Sequence, residues 1–175
     1  MMRWVLITVV ALVAISAGAY ITGLALPRAH VAVLEGVVAR PVGEIAAAIR
    51  DVQAYPTWRV GVAIENLAVT GDGTTYVEVA EGERIAYRLT EPTRDQRFVA
   101  AITDPNLPFG GAWTITLTAE GAGVRVRIEE RGEIRDPVYR LFAHFVFGYT
   151  SSLRGYLVAL GATDIRAPAG TPVLS

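Results

Sequence analysis

Residues 112–134, AWTITLTAEGAGVRVRIEERGEI, decide the fold. Trp113, Ile115 and Leu117 alternate with Thr114, Thr116 and Thr118. After the turn signal Glu120–Gly123, Val124, Val126 and Ile128 alternate with Arg125, Arg127 and Glu129, and Arg131 and Glu133 continue the charged series. Successive strand residues point to opposite faces, so each run predicts a strand with one apolar and one polar side. A short turn between such runs makes them antiparallel. The charged face must be wet, and the apolar face needs a cover.

The cover is predicted immediately downstream. Asp136 is a capping residue, and Pro137 suits the first position of a helix, where its missing N–H costs nothing. Val138, Leu141, Phe142, Phe145, Val146, Tyr149, Leu153, Tyr156, Leu157 and Leu160 follow at helical spacing, and Gly161 stops the run. One long C-terminal helix is expected, with a loose tail over 165–175.

Upstream, the period is two again. Strands are expected over Val62–Thr70, Thr75–Glu81, Arg84–Thr90 and Gln96–Thr103, with Gly71-Asp72-Gly73 as a hairpin turn. Glu91–Asp95 reads as a turn and Asp104–Gly111 (DPNLPFGG) as a loop. His30–Ala39 is a Val-rich strand, and Pro41–Arg50 a helix with Ile45, Ala46, Ile49 and Val52 at its spacing. A short helical turn over Val52–Tyr55 is expected to close at Pro56, because the residue before proline is pushed out of the α region. The order is therefore a strand, short helices, six further strands and a long helix. This is an α+β chain whose antiparallel sheet packs one face on that helix.

The remainder is an N-terminal run. Trp4–Leu26 holds 23 residues without a charge, flanked by Arg3 and by Pro27-Arg28. About 20 apolar residues cross a bilayer core. The run reads as an uncleaved transmembrane anchor. A cleaved signal peptide, with Ala17-Gly18-Ala19 as its small-residue site, is the rival, but the apolar run continues past Ala19. A buried core helix is the third reading. Arg3 favours a cytoplasmic N-terminus with the domain on the extracytoplasmic side of a single-pass chain. The division is 1–27 as anchor, 28–164 as domain and 165–175 as tail.

The anchor accounts for much of a 52% hydrophobic composition and a mean hydropathy of +0.37. Beyond it, 15 Arg oppose 17 Asp and Glu, a near-neutral balance that offers nucleic acid no dedicated surface. The chain has no Cys, and all 16 cations are Arg. That excludes thiol nucleophiles, thiolate ligands, Schiff-base lysines and a phosphate-loop lysine. His30 and His144 are too few for a His-based zinc site, so no metal and no cofactor is expected.

Several strings carry a family resemblance. These are Tyr55-Pro56-Thr57-Trp58, Leu107-Pro108-Phe109-Gly110-Gly111-Ala112-Trp113 and Glu130-Arg131-Gly132-Glu133-Ile134-Arg135-Asp136-Pro137. In their order along about His30–Leu160 the chain resembles the START-like superfamily, also called SRPBCC or the polyketide cyclase/dehydrase and lipid-transport group. It is similar to the membrane-anchored subset of that group. The resemblance implies a helix-grip fold: a curved antiparallel sheet of about seven strands around the C-terminal helix, enclosing a hydrophobic cavity. It implies apolar ligands such as lipids, sterols or polyketides, with some members cyclases and others carriers. A fold alone does not select among these.

A cavity of that kind needs apolar and aromatic walls with a few polar groups. The candidate lining residues are Trp58, Tyr76, Tyr87, Phe98, Trp113, Phe142, Phe145 and Tyr149, with Glu78 and His144 as polar members. Each has a plainer reading, as core packing for the aromatics and as helix surface for His144. If Val77 and Val79 face the core, Tyr76 and Glu78 face away; the run is too short to set that parity. A buried Glu78 near Tyr87 is a possible acid or base. Gly110-Gly111 reads as a structural turn or as part of a cavity gate, and the Arg125/Arg127/Arg131 ladder as solvated pairs or as a surface for lipid headgroups or a partner.

The expected function is a membrane-tethered binding module for a hydrophobic small molecule or lipid. The alternatives are an aromatase/cyclase-type enzyme and a partner-binding regulatory domain. The scarcity of catalytic residue types weighs toward binding. No catalytic residue, ligand identity or protein partner is assigned.

Overall fold

A computed structural model describes residues 2–168, with only the backbone of 146 and 147; the last residues of the expected tail, 169–175, lie outside the described residues. Helix α1 (Met2–Ala25) leads into β1 (Ala29–Val38), α2 (Val42–Arg50), a 3₁₀ turn (Val52–Ala54) and α3 (Tyr55–Trp58). Six strands follow: β2 (Val62–Thr70), β3 (Gly73–Ala80), β4 (Glu83–Thr93), β5 (Arg97–Ile102), β6 (Phe109–Glu120) and β7 (Gly123–Ile134). Then come α4 (Pro137–Phe142), a π turn (Ala143–Phe147), α5 (Ser151–Ala159) and β8 (Thr163–Arg166). The strands form one antiparallel sheet in the order β2-β3-β4-β5-β6-β7-β1-β8. This is the helix-grip architecture.

The alternation read in 112–134 sets the two faces. Ile115 lies opposite Ile128 and Leu117 opposite Val126, and all four are buried. Leu34 and Val38 of β1 extend this surface. Leu153, Tyr156, Leu157 and Leu160 cover it from the α5 side, and Ile45, Ala46 and Ile49 from α2. Burying each large side chain contributes about 1.5–3 kcal/mol, an upper estimate because the unfolded chain already shields some surface. On the other face the charged ladder pairs with itself. Arg125 reaches Glu35 (2.8 Å) and Glu120 (2.6 Å), and Glu129 accepts from Arg127 and Arg131.

Five expectations are corrected. The single long helix is two helices and a π turn. Gly148 sits at φ 68° and ends the π turn by donating its N–H to Ala143 O (3.0 Å). A positive φ leaves the right-handed helix, and glycine adopts it without strain, so the chain breaks there although the apolar spacing runs straight through. The sheet has eight strands rather than about seven, because Ile165 and Arg166 of the expected tail belong to β8, which pairs with β1. Pro56 does not close a turn; it occupies the start of α3, where its missing donor is harmless. β6 begins at Phe109, so Gly110 and Gly111 lie in a strand and not in a loop. β4 runs through Pro92 to Thr93, past an irregularity between Thr90 and Thr93, where a turn was expected.

The Asp136 cap is as expected: its carboxylate accepts from the N–H of Val138 (2.8 Å) and of Tyr139 (2.9 Å). α1 is exposed along nearly its whole length and is long and apolar enough to cross a membrane. Only its last turns touch the domain. Gly23 is buried against Pro137, whose carbonyl oxygen would lie 1.9 Å from any Cβ at 23. Arg140, 2% exposed, donates to Leu26 O (2.8 Å), so the end of α1 is latched to α4.

Candidate functional site

Two adjoining cavities lie on the concave face of the sheet. The smaller, about 30 Å³, is lined by Tyr55, Arg59, Tyr76, Glu78, Tyr87, Leu89, Ala100, Trp113, Ile115 and Tyr156. The larger, about 220 Å³, is lined by Ile85, Tyr87, Ala100, Ile102, Phe109, Gly110, Gly111, Ala112, Trp113, Glu130 and Ser152. Tyr87, Ala100 and Trp113 belong to both and form the partition.

Strand parity builds the inner wall. Tyr76 pairs with Tyr87 across β3 and β4, and their rings stack at 5.6 Å. Glu78, two residues on, shares the Tyr76 side and so faces the cavity. Ala100 sits opposite Leu89 on one side and Trp113 on the other. The small side chain at 100 is what leaves space between larger neighbours.

The polar end of the smaller cavity is a buried ion pair. Arg59, just past α3, donates to both oxygens of Glu78 at 2.5 and 2.7 Å. Their side chains are 15% and 13% exposed. The guanidinium also lies against the rings of Tyr55 (5.4 Å) and Tyr156 (5.1 Å), contacts that favour a cation. Burial alone would favour neutral Arg59, but the bonds to Glu78 outweigh it and raise its pKa. Tyr156 makes edge contacts with Trp58 (5.4 Å) and Trp113 (5.7 Å), closing an aromatic cage.

Burial pushes the phenols of Tyr55, Tyr76 and Tyr87 well above their ordinary range, and the Glu78 charge adds to this for Tyr76 and Tyr87. Burial also pushes Tyr156 up to about 12. At neutral pH these groups are therefore neutral hydroxyls. They can donate hydrogen bonds but do not act as bases. The Tyr55 hydroxyl donates to Ile49 O (2.7 Å).

Of the residues singled out from the sequence, Tyr76, Glu78, Tyr87 and Trp113 meet at the cavities. Trp58 stands behind Tyr55 and Tyr156, with its buried Nε1 lacking a partner. Phe98 is fully buried in the core under Arg50. Phe142 and Phe145 are 47% and 66% exposed and line neither cavity. His144 lies edge-on to Phe145 (4.6 Å), and Tyr149 stacks on His30 (4.3 Å). His144 and Glu78 are not brought together; Glu78 is held by Arg59. Tyr55, Arg59, Tyr156 and Glu130 were not singled out. Glu130 was legible in principle, because continuing Val124, Val126, Ile128 by two places it on the apolar face.

No family model matches the chain, and no curated protein matches it in sequence. Solved structures do match. A START superfamily protein from Mycobacterium smegmatis aligns over 75% of this chain and 94% of its own, at 14% identity and a TM-score of 0.58. A truncated norcoclaurine synthase from Thalictrum flavum aligns over 75% and 91%, at 15% identity and a TM-score of 0.59. The Mll3558 protein from Rhizobium loti aligns over 75% and 94%, at 23% identity and a TM-score of 0.56. The shared fold is START-like.

Proposed function

We propose that this chain is a membrane-tethered module that holds a hydrophobic small molecule or lipid in the concave-face cavity. The observation that carries the reading is the 220 Å³ space walled by Tyr87, Trp113, Ile85, Ile102 and Phe109, continuous in its lining with the aromatic cage around Tyr156. A concave, mainly apolar pocket with a few fixed polar groups is the usual form of a small-molecule site. The fold supports it, since the same architecture serves a START superfamily protein and a norcoclaurine synthase. Binding is driven by apolar area removed from water, at about 25 cal/mol per Å², less the cost of immobilising the ligand.

The tether rests on α1 and its contact with α4. Gly23 packs on Pro137 only three residues before the uncharged run ends at Leu26, so α4 lies level with the end of the span. Tyr139, Phe142 and Phe145 are exposed on that segment, while Arg140, its one formal charge, is turned inward to Leu26. Exposed aromatics beside a span suit a membrane–water interface. With Arg3 ahead of the span, the domain sits on the extracytoplasmic side.

The three tryptophans provide the test. Trp4 lies in α1, Trp58 beside the cage and Trp113 in the cavity partition. The full chain labelled with 5-fluorotryptophan and held in lipid nanodiscs is titrated with toluene. The ¹⁹F signal of Trp113 is expected to shift saturably while that of Trp4 follows only lipid partitioning. A Trp113 signal that moves no more than Trp4 would rule the cavity out as a ligand site.

A further inference from the structure

The larger cavity lies at one particular edge of the sheet. β1 begins at Ala29, four residues beyond Ala25, the last residue of α1. A chain of that length spans at most about 14 Å, so the edge holding the start of β1 is close to the end of α1. The strand register carries this edge to the cavity. Ala29 pairs with Glu133 of β7, and Glu133 with Gly110 of β6. His30 pairs with Gly132, and Gly132 with Gly111. Gly110 and Gly111 line the larger cavity, with Phe109 beside them. Neighbouring strands are about 4.8 Å apart, so this wall stands roughly 10 Å from β1.

The cavity reaches the surface at the same edge. Ser152, exposed in the first turn of α5, is one of its lining residues. Tyr149, three residues earlier, stacks on His30 at 4.3 Å and so holds the start of α5 at the start of β1. Phe109 lies 6.5 Å from the Tyr139 ring of α4. Helix α1 sets the height of this edge. At 1.5 Å per residue the rise from Trp4 to Gly23 is about 28 Å, close to the roughly 30 Å of a bilayer's hydrocarbon core. Pro137 packs on Gly23, so α4 begins at the level where the span leaves the hydrocarbon. From Pro137 to Thr150 the sequence has no acid, and its single Arg, Arg140, is turned inward to Leu26 O. Tyr139, Phe142 and Phe145 are exposed on this stretch.

We infer that residues 139–145 are seated in the membrane–water interface and that the larger cavity opens at the bilayer surface, so that its ligand enters from the leaflet rather than from bulk water. The partner of this surface is the lipid bilayer itself. The inference rests on α1 spanning a membrane and on the cavity being a ligand site, as proposed above. Three exposed aromatics with no outward charge among them, continuous with a span, match the aromatic belt of an interface, and immersion removes their apolar faces from water. The latch of Arg140 on Leu26 O and the packing of Pro137 on Gly23 fix the segment to the span at that depth. The cavity wall at Phe109 and its exposed margin at Ser152 follow, because the register and the Tyr149–His30 stack tie both to the same edge.

The chain has no Cys, so each single-cysteine variant carries one nitroxide label. The full chain is labelled as Leu12→Cys, Val69→Cys, Phe145→Cys or Ser152→Cys and held in phosphatidylcholine nanodiscs. Leu12 lies in mid-span, and Val69, exposed beside the β2–β3 turn, lies at the opposite edge of the sheet. Electron paramagnetic resonance reads collisions with oxygen, which concentrates in hydrocarbon, and with a water-soluble nickel chelate. The oxygen-to-nickel ratio should be highest at Leu12. It should stand several-fold above the Val69 value at Phe145, and between the Phe145 and Val69 values at Ser152. Val138→Cys keeps all three aromatics and should follow Phe145, which guards against a label that disturbs the segment. Ratios at Phe145 and Val138 equal to that at Val69 overturn the seating. An immersed Phe145 with Ser152 as wet as Val69 overturns the entry route. A Phe145 label screened from both reagents means that protein covers the patch, and also overturns the inference. The readings beneath it fail separately: a wet Leu12 removes the tether, and a Trp113 signal unmoved by toluene removes the ligand site while leaving the seating in place.

Discussion

Replacing Arg59 with alanine is expected to lower the unfolding free energy by about 3–5 kcal/mol, the scale for leaving one member of a buried ion pair without its partner. Glu78 accepts two bonds from Arg59 and its side chain is only 13% exposed, so solvent screens the loss weakly. The guanidinium also lies between the Tyr55 and Tyr156 rings, so its removal opens the aromatic cage as well as the pair. Against a total stability of about 5–15 kcal/mol, the variant sits close to unfolding. The double variant Arg59→Leu/Glu78→Leu should recover most of the loss, because a buried pair is seldom more stabilising than apolar side chains of similar volume. Denaturant unfolding of the three chains measures both effects. A cost below about 1 kcal/mol for Arg59→Ala would mean that the pair behaves as a solvated surface bridge.

Ala100→Phe is expected to abolish ligand binding while leaving the fold intact. Ala100 lines both cavities, between Leu89 and Trp113. A phenyl ring there occupies space that is otherwise open. Overpacking a filled core costs about 1–3 kcal/mol, but the 220 Å³ cavity gives the new ring somewhere to go. Stability should change little, and the toluene-dependent shift of Trp113 should vanish. Retained binding with a Phe at 100 would place the ligand elsewhere.

The parts of the fold that follow period two or period 3.6 were legible in the sequence. The 112–134 hairpin, the β2–β3 turn and the Asp136 cap follow from local residue order. The break at Gly148 was not, because the i, i+3, i+4 pattern continues across it and periodicity is blind to a single glycine. β8 is four residues long with no apolar alternation, and only its pairing with β1 makes it a strand. The site was half legible. Tyr76, Glu78, Tyr87 and Trp113 were named as aromatic or polar members of a sheet face. Arg59 lies 19 residues from Glu78 in sequence, and nothing local announces their meeting. Glu130 carries a parity signal, but the consecutive pair Glu129-Glu130 makes it read as part of the wet ladder. Gly110-Gly111 was read as a turn because glycine pairs so often are, whereas here Gly111 keeps clear of Gly132 on the next strand.

Occupancy of the cavity by an apolar molecule is the expected state of the full chain. Its most direct test is mass spectrometry of the organic extract of the full chain purified from membranes, compared with the Ala100→Phe variant prepared identically. A near-stoichiometric small molecule or lipid is expected in the extract of the parent chain and should be lost from that of the variant. The same bulk lipids in both extracts, with nothing enriched in the parent chain, would contradict it.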